Sequence, residues 1–157
     1  METFAPVSAC RFTRMRITTE QPTEFIDLTE RIDHYVATTG VLTGLINIQS
    51  LHTTAAILLN EHEPLLLTDF AALLERLAPG AETYRHDDRR LRTVNMTPGE
   101  RINGHAHCRA LLLGPSVCLN IVDGHLQLGR WQRLFLVELD GPQPRDLSVL
   151  LFGEAGR

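Results

Sequence analysis

Cysteine is scarce in this chain. Three residues of 157, Cys10, Cys108 and Cys118, make an odd number with no Cys-x-x-Cys pair, which argues against a disulfide framework and a cysteine-rich zinc site. A reducing, cytoplasmic setting is expected. Nowhere do about eighteen apolar residues run together, so no membrane span is expected. The start, Met1-Glu2-Thr3-Phe4-Ala5-Pro6, has neither a basic leader nor an apolar stretch of signal length, and no secretory processing is expected. Excess positive charge is missing too. A formal net charge of −4 gives no general attraction for phosphate backbones and leaves nucleic acid out as a bulk partner. There is no internal repeat, low-complexity tract or linker. What is there, 43% hydrophobic and 22% charged residues, is ordinary globular composition and excludes a disordered or collagen-like chain. At 17.6 kDa one domain over residues 1–157 is expected, large enough to bury a core without staples.

Hydrophobic periodicity then sorts the chain into elements. Residues 10–19 alternate, with Phe12, Met15 and Ile17 against Arg11, Arg14 and Arg16, which predicts a half-buried first strand. From Glu24 onward Ile26, Leu28, Ile32, Tyr35 and Val36 recur at roughly helical spacing until Gly40, predicting one amphipathic helix that starts just after Thr23. Residues 41–59 are rich in β-branched and aliphatic side chains, interrupted at Gly44 and at His52-Thr53-Thr54, and read as two strands or one bent strand. After Pro64, Leu66, Phe70, Leu73, Leu74 and Leu77 mark a second helix that stops before Pro79-Gly80. Residues 81–100 are polar and predict a long loop, of a length that is functional or mobile in compact domains. A short helix is predicted over 106–113 and strands over 117–122, 126–128, 132–139 and 146–152. Short connections between these late strands favour antiparallel pairing. The expectation is an α+β domain, mostly antiparallel, with two to three helices.

Seven histidines punctuate the chain, and they are its most informative feature. His52 opens His-Thr-Thr-Ala, His86 opens His-Asp-Asp, and His105 and His107 sit in Asn-Gly-His-Ala-His. A neutral imidazole is the commonest protein ligand for transition metals, and a histidine beside carboxylates moves protons near neutral pH, so both chemistries are open. Each cluster also has a plain alternative: a satisfied strand histidine at 52, solvated loop charges at 86–88, helix-start histidines at 105 and 107. On a helix only one of His105 and His107 can face a site, because residues two apart lie on opposite sides. Glu61-His62-Glu63 offers a general base or ligand, or else the solvated acidic entry of a helix. His34, His62 and His125 are assigned to solvent or packing.

A set of short motifs carries a resemblance. They are Gly44-Leu45, His52-Thr53-Thr54-Ala55, Asn60-Glu61, Tyr84-x-His86-Asp87-Asp88, Asn103-Gly104-His105-Ala106-His107, Gly114-x-Ser116, Gly124-x-Leu126-x-Leu128-Gly129-x-Trp131-Gln132 and Glu138-x-Asp140-Gly141-Pro142. In order and spacing, over residues 10–153, the chain resembles the YjbQ family, described as secondary thiamine-phosphate synthases. The resemblance implies a YjbQ-like α+β fold, a homotrimer, metal-associated pockets near subunit contacts, and a weak ability to join hydroxymethylpyrimidine diphosphate to thiazole phosphate. By position it implies His52, His86 and His107 as ligands of a divalent ion, zinc or magnesium. Glu61 is then the candidate acid/base and Asp87 the second catalytic carboxylate. One departure stands out: the family commonly has arginine directly after Asp-Gly-Pro, where this chain has Gln143, with Arg145 two positions later.

The expected chemistry follows. A metal held by the three histidines neutralises a diphosphate or activates water, Glu61 handles a proton, and Thr53, Thr54 and Asn103 position oxygens of a phosphorylated small-molecule substrate. Arg145 either pairs with a phosphate or lies on the surface at the entry to the last strand. Two other functions use the same residues: metal-dependent hydrolysis of a small phosphorylated or amide metabolite, and non-catalytic binding of a metal or metabolite by a trimeric module.

Overall fold

The computed structural model describes residues 7–156. Two antiparallel sheets lie face to face. The larger has five strands in the order β1 (Val7–Thr18), β8 (Pro144–Ala155), β3 (Val41–Ser50), β5 (Ser116–Val122), β6 (His125–Leu126). The smaller has β7 (Gln132–Glu138) between β2 (Glu24–Asp27) and β4 (Ala55–Glu61). Three helices, α1 (Thr29–Thr39), α2 (Pro64–Leu77) and α3 (Gly104–Leu113), complete the expected α+β architecture.

Side-chain alternation explains the layering. On β7, Leu134 and Leu136 enter one core with Ile46, Ile48, Val149 and Leu151 of the larger sheet and with Ile32 and Val36 of α1. Phe135 and Val137 point the other way, into a second core with Leu74 of α2 and Ala106 of α3. A strand whose residues are buried on both faces reads as a continuous apolar run, and each such side chain contributes about 1.5–3 kcal/mol by leaving water.

Residues 24–28 correct the sequence-based expectation. They are not the first turn of a helix: Glu24–Asp27 pairs antiparallel with β7, Phe25 opposite Val137 and Asp27 opposite Phe135, and α1 begins only at Thr29. Ile26 and Phe25 pack against different cores, which requires a period of two, and the ladder on β7 supplies the backbone partners. Asp27, just before the Leu28 cap position, fixes the entry to the helix, its Oδ1 accepting the Thr29 N–H at 2.9 Å.

The late strands are antiparallel as expected, but β7 and β8 do not pair with each other. The turn at 139–143 carries the chain from the smaller sheet to the larger, and the turns at 19–23 and 51–54 cross between the same sheets. All three crossings gather at one end of the molecule, where the Thr19 N–H donates to the Gln143 carbonyl at 3.2 Å and the Leu51 N–H to the Asp146 carbonyl at 3.0 Å.

The outer face of the larger sheet carries an exposed apolar patch among polar neighbours. Phe12 pairs with Leu150 and Phe152 with Leu45, and Phe12 and Phe152 are 60% and 59% exposed. Phe12 therefore stands with Arg14 and Arg16 on this face, and only Met15 and Ile17 of the expected trio turn inward.

Candidate functional site

The crossing end holds a cavity of about 920 Å³, lined by His52, Thr53, Thr54, Arg85, His86, Arg92, Asn103, His107, Asp140, Gln143 and Arg145 among others. Its walls are the turns between the sheets, the start of α3 and the loop over 84–102.

His52 sits where β3 runs out. The Leu51 N–H still donates to the Asp146 carbonyl, but the next rung of the ladder has no carbonyl, and the Asp146 N–H donates instead to His52 Nε2 at 2.8 Å. A backbone amide only donates, so Nε2 holds the lone pair and the neutral ring carries its proton on Nδ1. Burial, then the nearby Arg145 cation, push the His52 pKa down and keep the ring neutral.

His86 is held differently. It lies in a single 3₁₀ turn, Arg85–Asp87, and its Nδ1 is 3.1 Å from Asp87 Oδ1. An ionised carboxylate only accepts, so Nδ1 carries a proton, and in the neutral ring Nε2 keeps the lone pair. Asp87 is itself pinned at the start of α3, accepting from the Asn103 N–H at 3.1 Å and the Gly104 N–H at 3.0 Å. Burial works against its ionisation, yet the bond from His86 and these two amides hold its pKa below the usual value. His107, on the first turn of α3, brings its ring centroid to 4.5 Å from that of His86. Burial, then His86, lower its pKa. His105 lies on another side of the helix, 6.4 Å from the Tyr84 ring, so of the two only His107 lines the cavity.

Gly104 makes this packing achievable. A Cβ there would lie 2.4 Å from Tyr84 Cβ, 2.7 Å from Tyr84 Cγ and 3.0 Å from Asp87 Oδ2. Gly104→Ala is expected to cost about 1–3 kcal/mol through overpacking, seen as a melting temperature lower by roughly 2–4 °C per kcal/mol. No larger drop than in Gly80→Ala, where a Cβ meets only the flexible Glu75 carboxylate, would refute that close packing.

Arg145 is not on the surface, although it lines the cavity. It is 1% exposed and Glu138 is 0% exposed. Its Nε donates to Glu138 Oε2 at 2.6 Å and its Nη2 to Glu138 Oε1 and to the Thr54 carbonyl, the latter at 3.1 Å. Glu138 also accepts from the Thr19 hydroxyl at 2.9 Å and from the Leu139 and Asp140 amides. This bidentate pair locks β7 to β8 behind the cavity and anchors the 51–54 turn. Asn103 lines the cavity as well. Its Nδ2 donates to Asp140 Oδ2 at 2.8 Å, and its Oδ1 is buried without a partner among the described residues. At the corner where the family pattern has arginine, Gln143 donates to the Asp140 carbonyl at 3.0 Å, and Arg101 donates to the same carbonyl and to that of Pro142.

Glu61 is not brought to this cavity. It lies at the far end of β4 and lines other pockets, with His62, Trp131 and Arg130. Six residues separate it from Ala55, next to Thr54, or roughly 20 Å along a strand. Thr53 and Thr54 do line the cavity, although Thr54 is buried. The residues unmarked by spacing are Arg85, Arg92, Asp140 and Glu100. Arg92 pairs with Glu100 at 2.9 Å, whereas Arg85, at the exposed rim, has no carboxylate partner among the described residues.

Set against a metal, the donors fit in part. His86 offers a bare Nε2 on a ring oriented by a carboxylate, the usual support of a metal-bound histidine, and His107 lies beside it. His52 does not fit, since its one lone pair is engaged by the Asp146 amide. Among the described residues no group of three or more His, Cys, Asp or Glu is arranged to hold a metal ion.

Titration predicts how the fold meets acid. Asp27, Asp87 and Glu138 have pKa values below their ordinary ones. Each therefore adds stability that is present above the unfolded-state value, about 4, and lost as pH falls through the folded-state value. His52 and His107, also lowered, begin the loss earlier, from about pH 6.5 downward. Thermal melts across this range are expected to show a shallow decline to pH 5 and a steep one below pH 4; a flat profile would contradict these assignments.

No helix of the described residues is long and apolar enough to cross a membrane. Comparison with known proteins gives the chain its relatives. A model of the family described as "UPF0047 protein YjbQ-like" matches residues 13–154. A UPF0047 protein of Methanothermobacter thermautotrophicus is 34% identical over 136 residues, 87% of each chain. One from Archaeoglobus fulgidus is 36% identical over 135 residues, covering 86% of this chain and 96% of the relative. Among solved structures, a protein of unknown function from Sulfolobus solfataricus P2 superposes with a TM-score of 0.83 at 30% identity, over 94% of this chain and 100% of the other. A hypothetical protein from Aeropyrum pernix K1 does so with a TM-score of 0.80 at 31% identity, over 92% and 99%. Matched over nearly its whole length in both sequence and fold, the chain belongs to the YjbQ-like UPF0047 family.

Proposed function

We propose that this protein binds a small phosphorylated metabolite in the crossing-end cavity and acts on it with a divalent ion, zinc or magnesium, held at His86 and His107. The observation that carries the reading is the His86–Asp87 pair: a carboxylate on Nδ1, a bare Nε2, and the neutral ring of His107 alongside. A bound ion would supply charge neutralisation for a phosphate or diphosphate group. Arg85 at the rim would draw the anion in, and the Thr53 hydroxyl and the amides of the 51–54 turn would receive its oxygens.

Within this frame the resemblance favours the joining of hydroxymethylpyrimidine diphosphate to thiazole phosphate. The thiazole nitrogen bonds to the pyrimidine methylene carbon, the carbon–oxygen bond to the diphosphate breaks, and pyrophosphate leaves. The step moves no proton, and Glu61, roughly 20 Å away along its strand, takes no part in it. The same pair favours a second reading, metal-dependent hydrolysis, because an ion held at Nε2 of an oriented histidine would equally activate a water.

Incubating the purified protein with both substrates, with and without zinc or magnesium, separates these. Thiamine phosphate and pyrophosphate in equal amounts support the transferase; diphosphate cleavage without thiamine phosphate supports the hydrolase. Metal binding with no turnover on a phosphorylated-metabolite panel supports a non-catalytic module.

The same reading includes a cytoplasmic homotrimer. Its support is the uncovered face of the larger sheet, where Phe12, Leu45, Leu150 and Phe152 lie together, a patch of the kind that other copies of a chain cover. Light scattering on the purified protein is expected to give three times the 17.6 kDa chain mass, and Phe12→Asp with Phe152→Asp to lower it.

A further inference from the structure

The imidazole of His52 stands in for a strand carbonyl. Past Ser50, β3 no longer offers β8 an acceptor, and the Asp146 N–H is met by His52 Nε2 at 2.8 Å instead. That bond allows one neutral tautomer. A backbone amide cannot give up its proton at any pH the fold survives, so the ring keeps its lone pair on Nε2 and its proton on Nδ1. The Nε2 edge faces β8, while the residue lines the cavity and Nδ1 has no partner among the described residues. Thr53 and Thr54 follow it along the same wall. His86 is the opposite case: its proton is directed to Asp87 and its lone pair is what remains.

We propose that His52 is an anion-reading group, its Nδ1–H fixed by the Asp146 amide and donated to a phosphoryl oxygen, and that it is not a ligand of the metal at His86 and His107. The cavity is thereby two-sided. One wall offers lone pairs to a cation, and the other offers N–H and O–H donors to the anion that the cation neutralises. This deepens the reading under Proposed function and rests on it for the phosphorylated ligand. The tautomer itself does not depend on any ligand.

Three measurements on the full chain test it. In long-range proton–nitrogen spectra of histidine-labelled protein, His52 is expected to show a protonated Nδ1 and a bare Nε2. A protonated Nε2 would overturn the proposal. Zinc titration is expected to shift the ring nitrogens of His86 and His107 and not those of His52. In calorimetry His52→Asn, which keeps an N–H near the Nδ1 position, should bind zinc as the unaltered protein does, while His86→Asn and His107→Asn bind it at least tenfold more weakly. An equal loss in His52→Asn would overturn the proposal. Inorganic pyrophosphate is the anion probe. His52→Ala should weaken its binding by about tenfold or more, the loss of one hydrogen bond to a charged group, with His52→Asn retaining most of it; binding unchanged in His52→Ala would overturn the proposal. If the unaltered protein binds no zinc, the metal reading fails, and the tautomer and pyrophosphate results still decide the role of His52.

Discussion

Glu138→Leu is expected to destabilise the fold by about 3–5 kcal/mol, because it leaves the Arg145 guanidinium buried without its counter-charge. Both side chains are essentially inaccessible, so water cannot take over from the lost carboxylate. The Leu139 and Asp140 amides lose their acceptor at the same time, and the Thr19 hydroxyl keeps only the Gln143 carbonyl. Urea unfolding monitored by circular dichroism measures the loss. It is a large share of the 5–15 kcal/mol that holds a typical domain together. A double variant, Glu138→Leu with Arg145→Met, should recover much of it, since two apolar groups in place of a buried pair leave no charge unmatched. If Glu138→Leu alone costs less than about 1 kcal/mol, the pair behaves like a solvent-screened one and its burial is refuted.

Asp87→Asn is expected to reduce zinc affinity by about 10–100-fold, the usual consequence of losing the group that orients a metal-bound histidine. An asparagine amide can still accept from the Asn103 and Gly104 N–H groups, so the start of α3 should keep most of its cap. The same oxygen position accepts from His86 Nδ1, so that bond is kept without its charge, while the NH₂ takes the place of Oδ2 beside the Gly104 N–H. An uncharged acceptor on Nδ1–H leaves Nε2 a weaker ligand, and the affinity for the ion falls with it. Asp87→Ala removes the cap as well and should cost roughly 1 kcal/mol of stability. Calorimetric zinc titration and thermal melts on the two variants separate the effects. Equal zinc affinity in Asp87→Asn and the unaltered protein would show that Asp87 only caps the helix.

Both predictions concern residues whose importance was unevenly visible in the chain. The His-Asp pair at 86–87 stands out as written, because the partners are adjacent. Glu138 and Arg145 do not, since nothing about two charged residues seven apart says that they end inside the protein, on strands of different sheets. The nearest local hint is their place at the rims of two apolar runs. Of the two places expected for Arg145, the surface is excluded, and the guanidinium is buried against Glu138 at the cavity wall.

The helix expected from Glu24 fails for a related reason. Ile26, Leu28, Ile32 and Val36 fit a 3.6-residue period, and four residues are too few to separate a short strand from the first turn of the helix that follows it. The decision came from β7, which offers Glu24–Asp27 a ladder and lets Phe25 and Ile26 pack against two different cores. Helix α2 and strands β3 and β4 were legible because their signals are long and their stops, Pro79-Gly80 and His52-Thr53-Thr54, are local.

Histidine spacing likewise told part of the story. That only one of His105 and His107 would face the site follows from helical geometry, and His107 is that residue. That His86 would lie 4.5 Å from it, centroid to centroid, depended on Asp87 reaching seventeen residues forward to the amide of Gly104. Position in the motif could not say which nitrogen of each ring is free. His52 and His86 look alike in sequence and differ because one ring meets a backbone amide and the other a carboxylate.

The amino-acid sequence by itself determined the α+β class, most of the elements, the family, and the set of polar clusters from which a site is drawn, because these follow from local period, turn residues and motif order. Only the folded arrangement puts Glu61 away from the histidines, pairs Arg145 with Glu138 in the interior, and sets His52 Nε2 against a backbone amide where His86 Nδ1 meets a carboxylate. Each of those depends on which groups from distant parts of the chain meet in space, and the protonation and hydrogen bonding of a side chain are properties of that meeting.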